Sequence, residues 1–301
     1  MAAGITGRAD VIGTVPTIVA REIIKYTQPN LEFGNRVNTT FAQGINVGDR
    51  VQIPTYNDTA TSPDSGSLAT TQLPTGASPF SGGAELNSGG LTYSDQAIGS
   101  ATVYISSWWY VGIELSAYAQ ATAQGDLTAL FRQAGVDALS TRIDTDIATL
   151  ITGLSQTKGA LGTGLSDPVI RDAINVLDTG NVPGDGRSFV FSPDEKANLL
   201  GVDKYTNSLY TGSTQAVTRG VLGSFYGMDW AMTTQVPAPA AGQHRNVIFH
   251  RDTWALVMRQ PVRVVGFDSP DSSLFSTRIL ATAIWGVAEV RDRFGVQALG
   301  V

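Results

Sequence analysis

Cysteine is absent from the 301 residues, and histidine occurs only twice, as His244 and His250. The first absence removes disulfides, thiol nucleophiles and thiolate metal sites, so stability must come from burial and association. The second confines any imidazole chemistry to two positions. Charge is scarce as well: Asp, Glu, Lys and Arg make up 15% of the chain, against roughly 25% in an average soluble domain. The formal net charge of −6 offers no global attraction to a phosphate backbone or an anionic membrane. No run approaches the roughly 18 apolar residues of a membrane span, and the first residues lack a basic stretch followed by an apolar one. The chain is therefore expected to be soluble, made in the cytoplasm and unprocessed, with no membrane partner. Walker A, zinc-finger and calcium-loop spacings are missing too, so no cofactor or metal is expected.

What is present suffices for about two domains with a sizeable core, since 42% of the residues are hydrophobic. Between Val15 and Tyr26, Ile18, Val19, Ile23 and Ile24 share one side of a short predicted helix, an arm bounded by Pro16 and Pro29. Val47–Pro54 alternates as a half-buried strand expected to end at Pro54. From Asn57 to Ser100 Ser, Thr, Gly and Ala dominate, every charge is acidic and three prolines interrupt, which predicts a long loop. Loops of that length inside a domain are usually functional. Thr102–Ile113 alternates again, with Val103, Ile105, Trp109, Val111 and Ile113 on one face and Tyr104, Trp108 and Tyr110 on the other. Two strands thus bracket the loop as the base of an extended hairpin.

Apolar residues spaced by three or four from Leu127 to Leu154 predict an amphipathic helix of about 28 residues, Asp126 to Leu154, with Asp126 at its cap. Beyond it come a helix at Pro168–Leu177, a strand at Ser188–Phe191 and a helix at Asp194–Leu200. Strands follow near Val221–Thr233, Val247–Met258 and Val262–Gly266, and again from Ser276. Such alternation is that of an α+β fold.

Few constellations carry chemistry. His250 and Asp252 share a strand face and, with Ser192, would make a hydrolase triad. Ser192 precedes Pro193 and lies in no Gly-x-Ser-x-Gly turn, which favours a helix cap. Asp144 and Asp146, two apart on a helix, do not face each other and are expected to be solvated. Gly162-Thr163-Gly164 has no predicted strand before it and Asp167 where a dinucleotide fingerprint needs a third glycine, so it reads as a flexible linker. Trp108, Trp109 and Tyr110 have no Lys or Arg near them between Val51 and Arg132, which suits core or subunit packing rather than base stacking. Gly212, Gly220, Gly223 and Gly227 read as turns between short strands.

The stretch from Leu177 through Asp178-Thr179-Gly180-Asn181-Val182-Pro183-Gly184-Asp185-Gly186 to Arg187, followed by Val190-Phe191-Ser192-Pro193 and Leu199-Leu200, resembles a segment of phage major capsid proteins of the Hong Kong 97 fold. Val37-Asn38, Gly48-Asp49, Phe249-His250-Arg251-Asp252 before Ala255-Leu256, and Trp285-Gly286-Val287-Ala288 with Arg291 resemble the same family in the same order. The resemblance implies an N-terminal arm at 1–45, an extended β-hairpin loop at 46–105 and a peripheral domain with a long spine helix at 106–165. It further implies an axial domain at 166–259 and C-terminal strands at 260–301 returning to the peripheral domain. By the same resemblance the protein is no enzyme but a self-assembling structural subunit of the virion. Copies of the chain would form the pentamers and hexamers of an icosahedral shell that touches packaged DNA non-specifically. Many relatives carry a scaffold-like extension, whereas this arm begins almost at Met1, so a separate scaffolding protein is expected beside a portal and a decoration protein. Contacts between subunits are expected from apolar residues of arm and loop: Ile18, Ile23, Leu68, Leu73, Phe80, Leu86, Leu91 and Tyr93. An encapsulin-like cellular compartment is the alternative within this fold, and the Ser192, His250 and Asp252 hydrolase is the alternative outside it.

Some members of this family join subunits by an isopeptide bond between a loop lysine and a neighbour's asparagine. The four lysines here are Lys25, Lys158, Lys196 and Lys204, and none falls between Asn46 and Ile105. Arg50 is the one basic residue in that stretch, and its guanidinium stays protonated and is no nucleophile. Particles boiled in detergent should therefore release a single band near 31.7 kDa, and a ladder of multimers would contradict this reading of the loop.

Overall fold

Most apolar stretches of the sequence pair into two sheets, which share one central layer. A computed structural model of the chain describes residues 32–42, 50–56, 98–122, 127–207, 220, 222–269 and 276–301. The chain divides into two compact units, Gln52–Thr102 and the remainder. In the smaller, β1 (Arg50–Tyr56) pairs with β2 (Ile98–Tyr104) as a two-stranded ribbon. β1 continues past Pro54, where it was expected to end; each strand of a ribbon has one unpaired edge, on which a missing N–H costs no ladder bond. The predicted arm helix at Val15–Tyr26 and the candidate contact residues Ile18, Ile23, Leu68, Leu73, Phe80, Leu86, Leu91 and Tyr93 lie outside the described residues.

In the larger unit β3 (Ser107–Ser116), β8 (Trp254–Ser269) and β9 (Ser276–Glu289) form an antiparallel sheet with β9 in the middle. The single strand expected over Thr102–Ile113 is broken at Ile105–Ser106, where the chain passes over β9. The expected strands at Val247–Met258 and Val262–Gly266 are divided differently. Thr253 closes a turn by donating from Oγ1 to the carbonyls of His250 at 2.7 Å and Phe294 at 2.9 Å. This separates β7 (His244–His250) from β8, and β8 then runs on through Pro261 with two register shifts. Helix α1 (Ala117–Thr122) follows β3, and α2 (Leu127–Thr149) lies against the sheet. A 3₁₀ turn at Leu150–Gly153 ends α2 earlier than the apolar periodicity suggested. Leu139, Ile143, Ile147 and Ile151 meet Ala281, Ala283 and Trp285 of β9 in the first core.

The second sheet has the order β4-β10-β7-β5-β6, formed by β4 (Thr157–Gly159), β10 (Gly295–Gly300), β7, β5 (Arg187–Phe191) and β6 (Asp229–Met232). β10 thus pairs with β4 and β7, while β8 and β9 pair with β3. Between Val221 and Thr233 only β6 is a strand among the described residues. Helices α3 (Asp167–Thr179), α4 (Pro193–Leu200) and α5 (Asp203–Thr206) complete the second core, where Ile170, Leu177, Leu199 and Tyr205 meet Phe189, Phe191, Ile248 and Val296. On β5 and β7, Val190, Val247 and Phe249 turn the other way, into the first core. Period-2 alternation thus serves two apolar layers instead of one layer and solvent.

Gly286 of β9 lies under the break between β2 and β3. A methyl group there would collide with the Tyr104 carbonyl oxygen and stand 2.9 Å from its carbon and 3.1 Å from the Ile105 Cα. These are backbone atoms, which cannot swing aside. Gly286→Ala is expected to lower stability by about 1–3 kcal/mol, the usual cost of overpacking, with a matching drop in the denaturation midpoint. An unchanged midpoint would show that the strands separate without penalty.

Candidate functional site

The Leu177–Arg187 stretch folds around one side chain. Arg187 opens β5 with its guanidinium buried, donating from Nε to the Pro183 carbonyl at 2.8 Å and from Nη2 to the Val182 carbonyl at 2.6 Å. Its Nη1 meets Asp178 Oδ1 at 2.7 Å. The return into β5 is made by Gly186 at φ 80°, a left-handed conformation that favours glycine. The motif is thus a structural loop that ties α3 to β5, not a reaction centre.

His250 and Asp252 lie side by side, Nδ1 3.7 Å from Oδ2, but Ser192 is not brought to them. Ser192 caps α4, its Oγ accepting the Glu195 N–H at 3.0 Å and donating to the Val301 carbonyl at 2.8 Å. β5 and β7 are antiparallel with Arg187 opposite His250, which puts His250 about 16 Å along the sheet from Ser192 at roughly 3.3 Å per residue. Asp252 accepts from Asn38 Nδ2 at 2.6 Å, and burial pushes the His250 imidazole below its ordinary value despite the Asp252 charge. The triad reading fails on distance.

Two further expectations are corrected. Asp144 is buried, not solvated, because the chain at Glu32–Gly34 crosses α2 there and its amides bind the carboxylate. Asp146 accepts from Trp285 Nε1 at 3.1 Å and pairs with Arg142 at 3.0 Å, so it too is engaged. The glycines near 162 are no flexible linker: β4 precedes them, the Gly162 N–H donates to the Gly300 carbonyl at 3.1 Å, and Gly164 packs on Asn198. That packing leaves no cradle for a phosphate. Of the four glycines read as turns, Gly227 sits at φ 70° in the turn closed by the Phe225–Met228 bridge, Gly220 and Gly223 fall in irregular chain, and Gly212 lies outside the described residues. Among the described residues no cluster of His, Asp and Glu is arranged to hold a metal. An open cleft of about 450 Å³ beside α3, lined by Gln156, Asn175, Val176, Thr179, Gly180 and Arg293, brings no acid and base together.

One network escaped the sequence. Asp167, at the start of α3, accepts from Tyr205 at 2.8 Å, from the Tyr226 hydroxyl, from Lys204 at 3.1 Å and from Arg171 Nε at 3.0 Å. Burial alone would raise its carboxyl. The hydrogen bonds from Tyr226, Tyr205 and Lys204, with the Lys204 charge, outweigh that and hold it at about 2. No spacing rule brings residues 167, 205 and 226 together.

Among the described residues, exposed aromatics gather on the face of the three-stranded sheet turned away from α2. Trp108 and Tyr110 stand on it 73% and 70% exposed, opposite Ile284 and Thr282, and Phe267 is exposed across the sheet opposite Arg278. Trp109 points to the α2 side, its ring under the Arg142 guanidinium at 4.2 Å. The sequence placed these faces correctly, but among the described residues Trp108 and Tyr110 join no core. Large rigid aromatics on a sheet face are typical of contact surfaces.

No family model and no curated protein matches the chain. Solved structures do. A structure of Mycobacterium phage Che8 superposes with a TM-score of 0.73 at 20% identity, over 94% of this chain and 96% of the other. The capsid structure of the cyanophage P-SCSP1u gives 0.72 at 13% identity, over 97% and 94%. The capsid of a native GTA particle gives 0.63 at 11% identity over the full length of both. The chain has the fold of these structures. Among its described residues, no helix is long and apolar enough to cross a membrane.

The Asp167 network makes a pH-dependent contribution of known sign. A carboxyl held below its ordinary value of 3.8 stabilises the folded state above that value, and the contribution is lost as pH falls towards about 2. Asp167→Asn should cost about 2 kcal/mol at pH 7, the scale of hydrogen bonds to a charged group. In urea titrations the gap from wild type should narrow below pH 4. A gap that stays constant into acid would rule out the charge as its source.

Proposed function

We propose that the chain is the major capsid protein of a tailed double-stranded-DNA phage, a non-enzymatic subunit that assembles into the icosahedral shell of the virion. The observation that carries this reading is the end-to-end likeness to capsid structures of separate phages. A capsid-like module embedded in an unrelated protein would match over part of one chain only. The exposed aromatic face of Trp108, Tyr110 and Phe267 adds a surface that a monomer leaves wet and an assembly covers.

In this reading the fold is of the Hong Kong 97 type, with the arm at 1–45, the extended loop at 46–105 and a peripheral domain built on α2 and the β3-β9-β8 sheet. The axial domain is built on the five-stranded sheet, and includes β4 and β10 beside residues 166–259. Loop and arm reach neighbouring subunits, with Ile18, Ile23, Leu68, Leu73, Phe80, Leu86, Leu91 and Tyr93 as contact candidates. Weak contacts repeated under closed symmetry yield a stable shell. A scaffolding protein, a portal and a decoration protein are the further partners, and contact with packaged DNA is non-specific, in keeping with the acidic balance.

Negative-stain imaging tests both the shell and the loop. The full chain, with its scaffolding protein where one is required, should give closed icosahedral particles. A chain lacking Thr59–Gly99 should keep its far-ultraviolet circular dichroism and give none. Monodisperse monomers at high concentration with scaffold present would refute the shell, closed particles of normal size from the deletion would refute the role of the loop, and protein-filled particles without DNA would point to a compartment.

A further inference from the structure

Asp144 stands in α2 on the buried side of the helix, three and four residues before Ile147 and Ala148, and as a carboxylate it is only 3% exposed. Its cover is a piece of chain from far away in sequence. The Glu32 N–H donates to Oδ2 at 2.6 Å and the Gly34 N–H to Oδ1 at 2.9 Å, and the Phe33 amide between them adds to the same field. Successive amides converging on one anion make a backbone nest. Glu32, the other carboxylate at this place, is turned to Arg36, whose Nη1 lies 2.5 Å from it and donates at 2.8 Å to the Glu32 carbonyl. The nest is thereby left to Asp144.

The same segment is held a second time by different chemistry. Phe33 is fully buried with its ring 6.3 Å from that of Phe249, and Val37 is buried beside it in the first core. Asn38 bridges to the start of β8, its N–H donating to the Trp254 carbonyl at 3.3 Å and its carbonyl accepting from Leu256 N–H at 3.0 Å. An ionic attachment at 32–34 is thus separated from a β-bridge at Asn38 by less than two helical turns of chain.

We propose that Asp144 is a latch: the nest of Glu32–Gly34 closes on its carboxylate and fixes this segment on α2, and opening it frees residues 32–36, Phe33 leaving the first core, while Asn38 and the second core stay in place. With the latch closed, Glu32–Gly34 is fixed on α2; with it open, the bridge at Asn38 becomes the pivot. The inference stands on the fold alone, whether or not the chain builds shells. An amide at position 144 offers one acceptor and turns an N–H₂ towards an N–H, and alanine offers nothing.

Arg36 supplies the reporter. Trypsin cuts after it only when the segment leaves the surface, since Val37 is buried. In time courses on the full chain, the product beginning at Val37 should form about tenfold to a hundredfold faster in Asp144→Asn than in wild type, the opening expected from removing a charged hydrogen-bond acceptor. Asp144→Ala should be faster still. Hydrogen exchange of residues 139–151 should stay at the wild-type level in both variants. Equal cleavage in all three proteins, exchange that spreads along α2, or failure of both variants to fold would overturn the latch.

Discussion

The structure depends on one sheet that is buried on both faces. Every residue of β5 is buried, and Val190, Val247 and Phe249 serve one core while Phe189, Phe191 and Ile248 serve the other. Such strands have no solvent side on which to carry charge, so their backbone groups must be satisfied strand to strand. Polar side chains are displaced to the strand ends. Arg187 opens β5, His250 closes β7 opposite it, Ser192 lies just beyond β5, and Asn246 accepts the Ser192 N–H at 2.8 Å. The cluster that looked like catalytic residues in the sequence is the polar rim of this layer.

The same constraint decides what the sequence revealed. β5, α3 and α4 were legible because apolar runs and Ser192 capping act over a few residues. The opposed faces of β3 were legible because α2 covers only one face of its sheet. What escaped depends on contacts between distant segments. Asp144 falls on a helix position that local charge rules assign to water, and only the crossing of Glu32–Gly34 removes it. Asp167 stood where a fingerprint needs a glycine, and its partners Tyr205, on α5, and Tyr226 come from separate segments. The continuation of β8 through Pro261 rests on pairing with β9, which tolerates two register shifts and overrides the local preference of proline.

Layering also explains where aromatic residues go. The five-stranded sheet is covered twice, but the three-stranded sheet has α2 on one face and nothing of the larger unit's described chain on the other. Trp285 and Ala283 fill the covered face, and Trp108 and Tyr110 lie on the open one. A solvated sheet face ordinarily carries charged residues, and β3 carries only Glu114, which is paired with Arg278 at 3.4 Å. The open face thus combines bare aromatics with Arg263 and Arg278 from the neighbouring strands, a mixed surface suited to a partner.

Without cysteine, distant segments are tied by single polar side chains that grip backbone. Asp144 holds Glu32 and Gly34 from over a hundred residues away. Glu195, its carboxyl pushed up by burial, holds the Leu165 and Val301 amides at 2.8 and 3.1 Å, and Gln297 Nε2 donates to the Leu154 carbonyl at 2.6 Å. An ion pair between side chains is often replaceable by two apolar residues of similar volume. A side chain bound to amides has no such exchange, because the amides remain whatever the partner becomes and an unmet buried N–H carries its full desolvation cost. Specificity of the chain path is therefore concentrated at a few polar positions, which apolar periodicity, the strongest signal in this sequence, cannot detect.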